Sequence, residues 1–295
     1  MKNKYKFSII ILTYNTPFEK TKRSLDSIIN QDFKDYELVI SDDGSKEVHF
    51  EEIEEYLVKN NINRYRLIRN TQNVGTVRHF YNILCEAKGK YIKALGGGDC
   101  LYGNDAISRM YKFLEDNKCS LAFGRIKKYI VKNDEMKSRG DFKVPKRINL
   151  YKRKHYKLYS MFNVLICHDL ISGVAMFGKR STFIYYISKL LGTSKYVEDI
   201  FQIFTFAENE KFYFFDDHIV NYEFGEGIST SSGRNPFKKK LRNDIDRSVE
   251  LAGSMYKSKI LYRILLNLGK IKPNKVGLVK RITRDILDNI NEKGC

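Results

Sequence analysis

The sequence of 295 residues predicts an α/β fold in which a mixed, mostly parallel sheet is flanked by helices. Short apolar segments rich in β-branched residues alternate with segments of helical periodicity over roughly the first hundred residues, which is the pattern of a parallel sheet. Each apolar segment ends in a polar or glycine-rich loop. Hydrophobic residues make up 42% of the chain and charged residues 30%, which is typical of a globular protein and excludes a disordered one.

The individual elements follow from this periodicity, taken in chain order. Continuous apolar runs indicate strands covered on both faces at residues 7–12, 36–40, 65–68 and 91–95. Apolar residues at helical spacing indicate helices at about 17–30, 50–60, 76–87 and 104–117. We predict the later elements as a strand over 121–131, a mobile loop over 132–150, helices over about 153–166, 180–191 and 200–207, and strands over 173–177, 212–215 and 219–222.

Polar side chains follow the first four strands at the point where each strand ends. Because ligands bind outside the carboxyl ends of the strands in open α/β sheets, we expect these side chains to converge on one site. Convergence from four loops indicates a binding cleft better than any single motif does. The residues concerned are Thr13, Asp42, Asp43, Asn73, Arg78 and Asp99.

The fourth strand ends in three consecutive glycines and one carboxylate, Gly96-Gly97-Gly98-Asp99. Glycines in a row allow a sharp turn or the close approach of a ligand. We interpret Asp99 as the residue that holds a divalent metal against a nucleotide diphosphate. The alternative is a structural turn in which Asp99 caps the helix that begins near Asn104.

The net charge of +18 predicts acidic partners, such as phosphorylated substrates, anionic lipid or nucleic acid, or else a lysine-rich solvated surface. Half of this excess lies in residues 236–295. The five cysteines are scattered without a CxxC pair, and no apolar leader is visible, so reduced thiols in the cytoplasm are expected. The aromatic residues lie mostly in apolar strand and helix positions and no nucleic-acid motif is present, so we expect no nucleic-acid partner.

Taken together, these motifs resemble family 2 glycosyltransferases of the GT-A fold, over about residues 7–230. Each motif is weak alone, but their order and spacing are specific. They are Ile11-Leu12-Thr13-Tyr14-Asn15, Ser24-Leu25-Asp26-Ser27-Ile28 with Gln31, Glu37-Leu38-Val39-Ile40-Ser41-Asp42-Asp43-Gly44-Ser45, Asn70 with Asn73-Val74-Gly75, Gly89-Lys90-Tyr91-Ile92, and Glu198-Asp199.

The resemblance implies a nucleotide-sugar donor, most simply a UDP-sugar, bound along the strand ends. Thr13 and Tyr14 match residues near the base or ribose. Asp42 or Asp43 matches the carboxylate that accepts a hydrogen bond from a pyrimidine N–H, with Asp43 preferred; an Asx-turn is the structural alternative. Arg78 matches a basic residue near the base or diphosphate, or is a solvated helix residue. Asn73, Gly97 and Gly98 complete the donor-binding set.

The sequence departs from the family at the metal motif. Family members usually carry Asp-x-Asp, often Asp-Ser-Asp-Asp, where this chain has Gly96-Gly97-Gly98-Asp99. Asp99 is therefore the one expected protein ligand to Mn²⁺ or Mg²⁺, with weaker affinity than in the family. A further ligand could come from His218 or from the loop over 225–231.

The pair Glu198-Asp199 matches the acidic pair that supplies the catalytic base in an inverting transfer. We assign Asp199 as the base and Glu198 to orientation of the acceptor or the metal shell. Both carboxylates also lie in a predicted first helical turn, where they would complement the helix dipole. The acceptor is expected to be a hydroxyl of a glycan or a lipid-linked saccharide, in the synthesis of a bacterial surface polysaccharide.

We expect a catalytic domain over 1–232, with a donor-binding half at about 1–103 and an acceptor-binding half at about 104–232, followed by a basic helical region over 233–295. An apolar stripe in that region predicts packing on the catalytic domain, peripheral contact with an anionic membrane at its cytoplasmic face, or a second subunit. The stripe consists of Leu261, Ile264, Leu265 and Leu268. Because Gly96 and Gly98 replace carboxylates, a non-catalytic relative that binds nucleotide-sugar or glycan is the alternative function.

Overall fold

A computed structural model describes residues 3–225, 237–270 and 273–292, with side chains left undescribed at 270 and 273–278. Nine strands and ten α-helices lie within these ranges. The strands are β1 (Tyr5–Thr13), β2 (Tyr36–Asp42), β3 (Tyr65–Arg69), β4 (Gly89–Gly96), β5 (Cys100–Leu101), β6 (Leu121–Lys132), β7 (Glu135–Phe142), β8 (Met176–Lys179) and β9 (Phe212–Glu223). The helices are α1 (Phe18–Ile29), α2 (Phe50–Lys59), α3 (Thr76–Glu86), α4 (Ala106–Asp116), α5 (Tyr156–Leu165), α6 (Arg180–Ser188), α7 (Gln202–Ala207), α8 (Lys238–Met255), α9 (Ile260–Lys270) and α10 (Pro273–Glu292).

The strands form one mixed sheet in the order β3-β2-β1-β4-β8-β6-β9-β5, with β7 paired to β6. The first four strands are parallel, as their apolar composition predicts; the side chains of β1, β2 and β4 are largely buried, and those of the edge strand β3 are partly exposed. Strand β8 runs antiparallel between β4 and β6, so it joins the parallel half to the second half of the sheet.

The strand register brings the carboxyl ends of the parallel strands to one level. Thr13 of β1 lies opposite Asp42 of β2, and Leu12 lies opposite Gly96 of β4. The loops that leave these strands therefore start side by side, as expected from the sequence. This edge of the sheet is where the candidate site is built.

The expected mobile loop over 132–150 is wrong. Residues Glu135–Phe142 form β7, which pairs with β6 through a tight hairpin at Asn133 and Asp134. Both turn residues have positive φ, 53° and 59°, which is the geometry that a two-residue hairpin requires. Strand β7 is exposed along almost its whole length, so it has no apolar alternation by which the sequence could reveal it.

Two further expectations change in detail. The segments over 212–215 and 219–222 are one continuous strand, β9, whose pairing with β6 shifts register around Arg125. The expected strand over 173–177 begins as a 3-10 turn at Gly173–Ala175 and becomes strand only at Met176. The backbone N–H of Gly173 in that turn contacts the Asp199 carboxylate.

The helices after residue 237 pack against the rest of the chain and share its core. The Tyr262 hydroxyl donates to the carbonyl of Ile203 at 3.0 Å, and Arg147 pairs with Asp288 of α10 at 2.6 Å. Apolar side chains of α8, α9 and α10 belong to the same buried cluster as the sheet. The expected boundary at residue 232 lies outside the described residues. No helix among the described residues is both long enough and apolar enough to span a bilayer.

Candidate active site

The glycine-rich turn after β4 is fixed by hydrogen bonds from three directions. The Gly97 N–H donates to the Leu12 carbonyl at 3.1 Å, and the Gly98 N–H donates to the Ser24 hydroxyl at 3.0 Å. The Tyr129 hydroxyl donates to the Gly98 carbonyl. The turn is therefore a rigid feature that is tied to α1, β1 and β6.

Two structural features favour glycine at position 98. Its φ is +105°, a conformation that disfavours any L side chain. A Cβ built there would lie 2.2 Å from a carboxylate oxygen of Glu223 at the end of β9. Glu223 is buried and pairs with Arg23 at 3.1 Å and Lys20 at 3.4 Å. A carboxylate thus lies beside position 98, but it comes from another strand and is already paired with two cations.

Asp99 is 8% exposed, and its carboxylate accepts the backbone N–H groups of Gly96 and Glu223, each at 3.2 Å. It does not cap a helix, because α4 begins at Ala106 and is preceded by Asp105. Burial raises the pKa of Asp99 to about 7, against the lowering effects of those two N–H groups and of Lys93.

Lys93 is the cation behind Asp99, and sequence reasoning missed it. It lies in the middle of β4, is fully buried, and donates from Nζ to the Val174 carbonyl. Burial lowers the pKa of Lys93 to about 7, against the attraction of Asp99. A single lysine within an apolar strand carries no sequence signal that it points inward, and only its position in β4 behind the glycine-rich turn could have suggested it.

Lys93 also contacts the turn that supports Asp199. The 3-10 turn that holds Val174 presents the Gly173 N–H to the Asp199 carboxylate at 3.3 Å. Lys93 therefore connects β4, the strand that leads to Asp99, with this turn. The convergence of Asp99 and Asp199 on one site stays a prediction.

Glu198 and Asp199 begin a short 3-10 turn, Glu198–Phe201, with no side-chain capping hydrogen bond at its start. Both side chains keep partial exposure. Burial of the carboxyl groups raises the pKa of both residues, and the charge of Asp199 raises that of Glu198 further. Gly173 leaves room for the pair, because a Cβ there would lie 2.8 Å from a Glu198 carboxylate oxygen.

Asp42 and Thr13 lie together at the ends of β2 and β1. Asp42 is 3% exposed, and its carboxylate accepts the backbone N–H of Ser45 at 2.8 Å and the Ser45 hydroxyl. The Thr13 hydroxyl lies 3.1 Å from the Ser41 carbonyl and 3.4 Å from Asp42. Tyr14 follows with its ring 49% exposed, which leaves a face open for contact with a planar ligand.

Asp43 holds the next loop in place. Its carboxylate accepts the Asn70 side-chain amide at 2.8 Å, the Val74 N–H at 3.0 Å and the Gly75 N–H at 2.9 Å. These three bonds fix the loop that carries Asn73, which is only partly buried. The choice of Asp43 as the acceptor of a base N–H stays a prediction, but the structure gives this carboxylate a structural role at the same time.

Arg78 is exposed on the first turn of α3 and lines a cavity with Lys195 and α8. His218, considered as an additional metal ligand, instead contacts Asp141 of β7 at 2.9 Å. Of the loop over 225–231, all but Gly225 lies outside the described residues.

The described residues do not form a metal site by themselves. They contain no group of three or more His, Cys, Asp or Glu side chains that could hold an ion. Asp99 already accepts two backbone N–H groups, and Glu223 is paired with cations of α1.

The structure resembles solved GT-A glycosyltransferases. S. aureus TarS 1–349, crystallised with UDP-GlcNAc, matches with a TM-score of 0.62 at 16% identity, over 97% of this chain and 80% of that one. The mannosyltransferase of Pyrobaculum calidifontis, crystallised with GDP-Man and Mn²⁺, matches with a TM-score of 0.52 at 13% identity, over 98% of this chain and 88% of that one. At these identities the likeness shows that the fold is GT-A.

Proteins with similar sequences are also glycosyltransferases by name. An uncharacterized glycosyltransferase of Methanocaldococcus jannaschii is 28% identical over 217 residues, which cover 73% of this chain and 69% of that protein. The poly(ribitol-phosphate) beta-glucosyltransferase of Bacillus spizizenii is 30% identical over 125 residues, which cover 41% of this chain and 19% of that protein. The family model described as glycosyl transferase family 2 matches residues 8–181, more than half of the chain, and the chain therefore belongs to glycosyltransferase family 2.

Proposed function

We propose that this glycosyltransferase moves a sugar, with inversion, from a nucleotide-diphosphate donor to a hydroxyl of its acceptor. The observation that carries the proposal is the contact of the buried Lys93, in the strand that leads to Asp99, with the 3-10 turn whose Gly173 N–H donates to Asp199. One carboxylate thus follows the end of β4, and the second, partly exposed carboxylate is held by a turn that contacts the same strand. A donor between them would have an acceptor-activating group on the side away from its diphosphate.

The proposed reaction uses Asp199 as the base. A sugar hydroxyl is a poor nucleophile, so its proton must be taken up as the new bond forms. The hydroxyl oxygen bonds to the anomeric carbon, the bond to the diphosphate oxygen breaks with its electron pair, and the proton passes to the Asp199 carboxylate. Its raised pKa makes Asp199 a stronger proton acceptor than an ordinary aspartate, and Glu198 is proposed to orient the acceptor.

The proposed donor is a UDP-sugar. Two of the structural neighbours were crystallised with UDP-GlcNAc and with UDP, and a third with GDP-Man. In this chain Thr13, Tyr14 and Asp42 offer a hydroxyl, an exposed ring and a buried carboxylate at the strand ends. These groups suit a pyrimidine base and its ribose. Asp43, Asn73 and the backbone of Gly97 and Gly98 are proposed to complete the donor site, whereas Arg78, which was predicted with them, lines the cavity beside α8.

A divalent cation enters the proposal only as a companion of the donor. The mannosyltransferase neighbour holds Mn²⁺ together with GDP-Man. In this chain Asp99 is the residue that would meet such a cation, which would neutralise charge on the leaving diphosphate.

The proposed acceptor is a glycan or a lipid-linked saccharide in the synthesis of a bacterial surface polysaccharide, at the cytoplasmic face of the membrane. The Bacillus spizizenii relative is a poly(ribitol-phosphate) beta-glucosyltransferase, which supports an acceptor of the surface-polymer class. The basic C-terminal region, with half of the excess positive charge, supports contact with an anionic surface.

Asp199→Asn tests the assignment of the base. The amide keeps the shape of the side chain but takes up a proton poorly, so we expect kcat for sugar transfer to fall about 10²–10⁴-fold with the KM for the donor little changed. The measurement is release of UDP from a panel of UDP-sugars with glycan acceptors, with and without Mn²⁺. Asp116→Asn, an exposed residue of α4, is the matched control and should keep full activity.

The same assay distinguishes sugar transfer from the alternative function, which is binding of nucleotide-sugar or glycan without transfer. Gly96 and Gly98 occupy positions where the family usually has carboxylates, which favours a relative that binds but does not transfer. If the wild type binds UDP and shows no turnover with any acceptor, while Asp199→Asn behaves identically, the binding function replaces the catalytic one.

A further inference from the structure

A cavity of about 400 Å³ lies between the first turn of α3, the segment over 191–196 and helix α8. Four cationic side chains line it: Arg78 of α3, Lys195 of the loop, and Lys240 and Arg247 of α8. All four are exposed, and three separate elements contribute them. The cavity is therefore a place where positive charge converges from parts of the chain that are distant in sequence.

None of these four cations forms an ion pair with a carboxylate among the described residues. Lys195 lies 5.4 Å from the centre of the Tyr196 ring, and Lys240 lies 5.9 Å from it. These cation–π contacts orient the two lysines but leave their charge uncompensated. Four like charges around one cavity repel each other, so an anion bound between them would be favoured.

Among the described residues, the one carboxylate of the cavity wall, Asp244, does not compensate them. Asp244 is 4% exposed and accepts the backbone N–H groups of Lys195 and Tyr196 at 2.8 and 2.7 Å. Its charge is directed at the loop backbone and holds that loop against α8. The same loop leads to the pair Glu198-Asp199, with only Val197 between the cavity wall and the pair along the chain.

The geometry points to this cavity as a binding site for a phosphate group that the acceptor carries, which rests on the proposed function of Asp199 as the acceptor's base. The turn over 96–99 does not line the cavity, so the donor diphosphate is not its occupant. A phosphate held by Lys195 and Arg247 would anchor an acceptor whose hydroxyl reaches Asp199. Arg78, predicted as a donor ligand, contributes to this cavity by its position on α3.

The test is calorimetric titration of inorganic phosphate into the protein after its donor site has been saturated with UDP. We expect saturable binding by the wild type, and affinity reduced about three- to five-fold in Lys240→Gln and in Arg247→Gln, because each removes one of four charges near the anion. Arg242→Gln is the matched control, since it removes the same charge from an exposed position of α8 outside the cavity. It should leave the affinity unchanged.

Three results would overturn the inference. They are no saturable binding of phosphate, an equal loss in Arg242→Gln and Arg247→Gln, and binding of phosphate to the UDP-free protein that saturation with UDP abolishes, which would place the cavity in the donor site. Failure of the proposed function shows separately, as absence of UDP binding or turnover in the wild type.

A second arm identifies the source of the phosphate by replacing the free ion with phosphatidylglycerol vesicles. Sedimentation that Arg247→Gln reduces and Arg242→Gln preserves assigns the phosphate to a lipid-linked acceptor. Sedimentation that is equal in both variants assigns it to an acceptor free of the membrane.

Discussion

At the scale of single residues, the glycine-rich turn has no carboxylate of its own at position 98 but lies beside one that belongs to β9. Position 98 has no side chain, and the Glu223 carboxylate lies where a Cβ would begin, paired with Arg23 and Lys20. A carboxylate that is held by two cations differs from one that is free to bind a metal, because its charge is already compensated. The glycines of the motif therefore reflect close packing of β9 against the turn as much as closeness to a ligand.

The buried cation beside Asp99 can be tested by a substitution that keeps its shape. In Lys93→Met the Val174 carbonyl loses its donor and Asp99 loses its neighbouring cation, so we expect the free energy of unfolding to fall by about 2 kcal/mol or more. The measurement is urea denaturation followed by circular dichroism. Because Lys93 also supports the turn that contacts Asp199, kcat should fall while the KM for the donor changes little.

The control lies on the same strand. Lys90→Met removes a partly exposed ion pair with Glu115 and should cost less than about 1 kcal/mol. In a double-mutant cycle, Lys93→Met and Asp99→Asn should couple by about 1 kcal/mol or more, since each residue affects the other's charge state. Strictly additive effects would show that the two side chains do not interact.

Single residues can be proposed from sequence where they belong to a motif. Asp99 follows three glycines at the end of a strand, and Asp199 belongs to an acidic pair that resembles the family's; the roles of both stay predictions. Lys93 and Glu223 could not be proposed in this way, because each is one charged residue inside a strand, and the alternation of strand faces does not say which face is covered in a mixed sheet. Their roles depend on long-range packing of β4, β8 and β9.

At the scale of elements, β1, β2 and β4 were predictable because they are largely buried and rich in apolar residues. The hairpin of β6 and β7 was not, since β7 is exposed and polar throughout. Helix α8 was predicted as helical and basic, but its contact with the loop before the catalytic pair was not. That contact depends on Asp244, whose role follows only from tertiary structure.

Asp244→Ala tests whether α8 positions the catalytic pair. The backbone N–H groups of Lys195 and Tyr196 lose their acceptor, and the loop before Glu198 is no longer fixed. We expect kcat for sugar transfer to fall roughly ten-fold or more, since small displacements of catalytic groups are costly, while UDP affinity stays the same. Steady-state kinetics and UDP titration measure the two effects. Asp246→Ala, an exposed neighbour on the same helix, should match the wild type, and equal activity of both variants would remove α8 from the mechanism.

At the scale of the whole molecule, the C-terminal helices contribute buried side chains to the core and also expose apolar side chains to solvent. Helix α9 buries Tyr262 and Leu265 but leaves Leu261 and Ile264 about half exposed, so the predicted apolar stripe is divided between two faces. The buried face explains why α9 packs on α5 and α8. The exposed face of α9 has no such role in packing. An exposed apolar patch of this kind marks a binding surface for a membrane or for another protein.

The exposed face of α9 is expected to contact an anionic membrane. Ile260, Leu261 and Ile264 are flanked by the exposed cations Lys257 and Arg263, which is the composition of an interfacial helix. Removal of the whole region would also remove core residues, so point substitution is the informative change. In Leu261→Glu/Ile264→Glu we expect sedimentation with phosphatidylglycerol vesicles to fall roughly ten-fold or more, because two apolar anchors are lost and two negative charges are added. Neutral phosphatidylcholine vesicles should bind the wild type weakly. Equal sedimentation of both proteins, together with a wild-type dimer that the double substitution dissociates in analytical ultracentrifugation, would make this face a subunit contact instead.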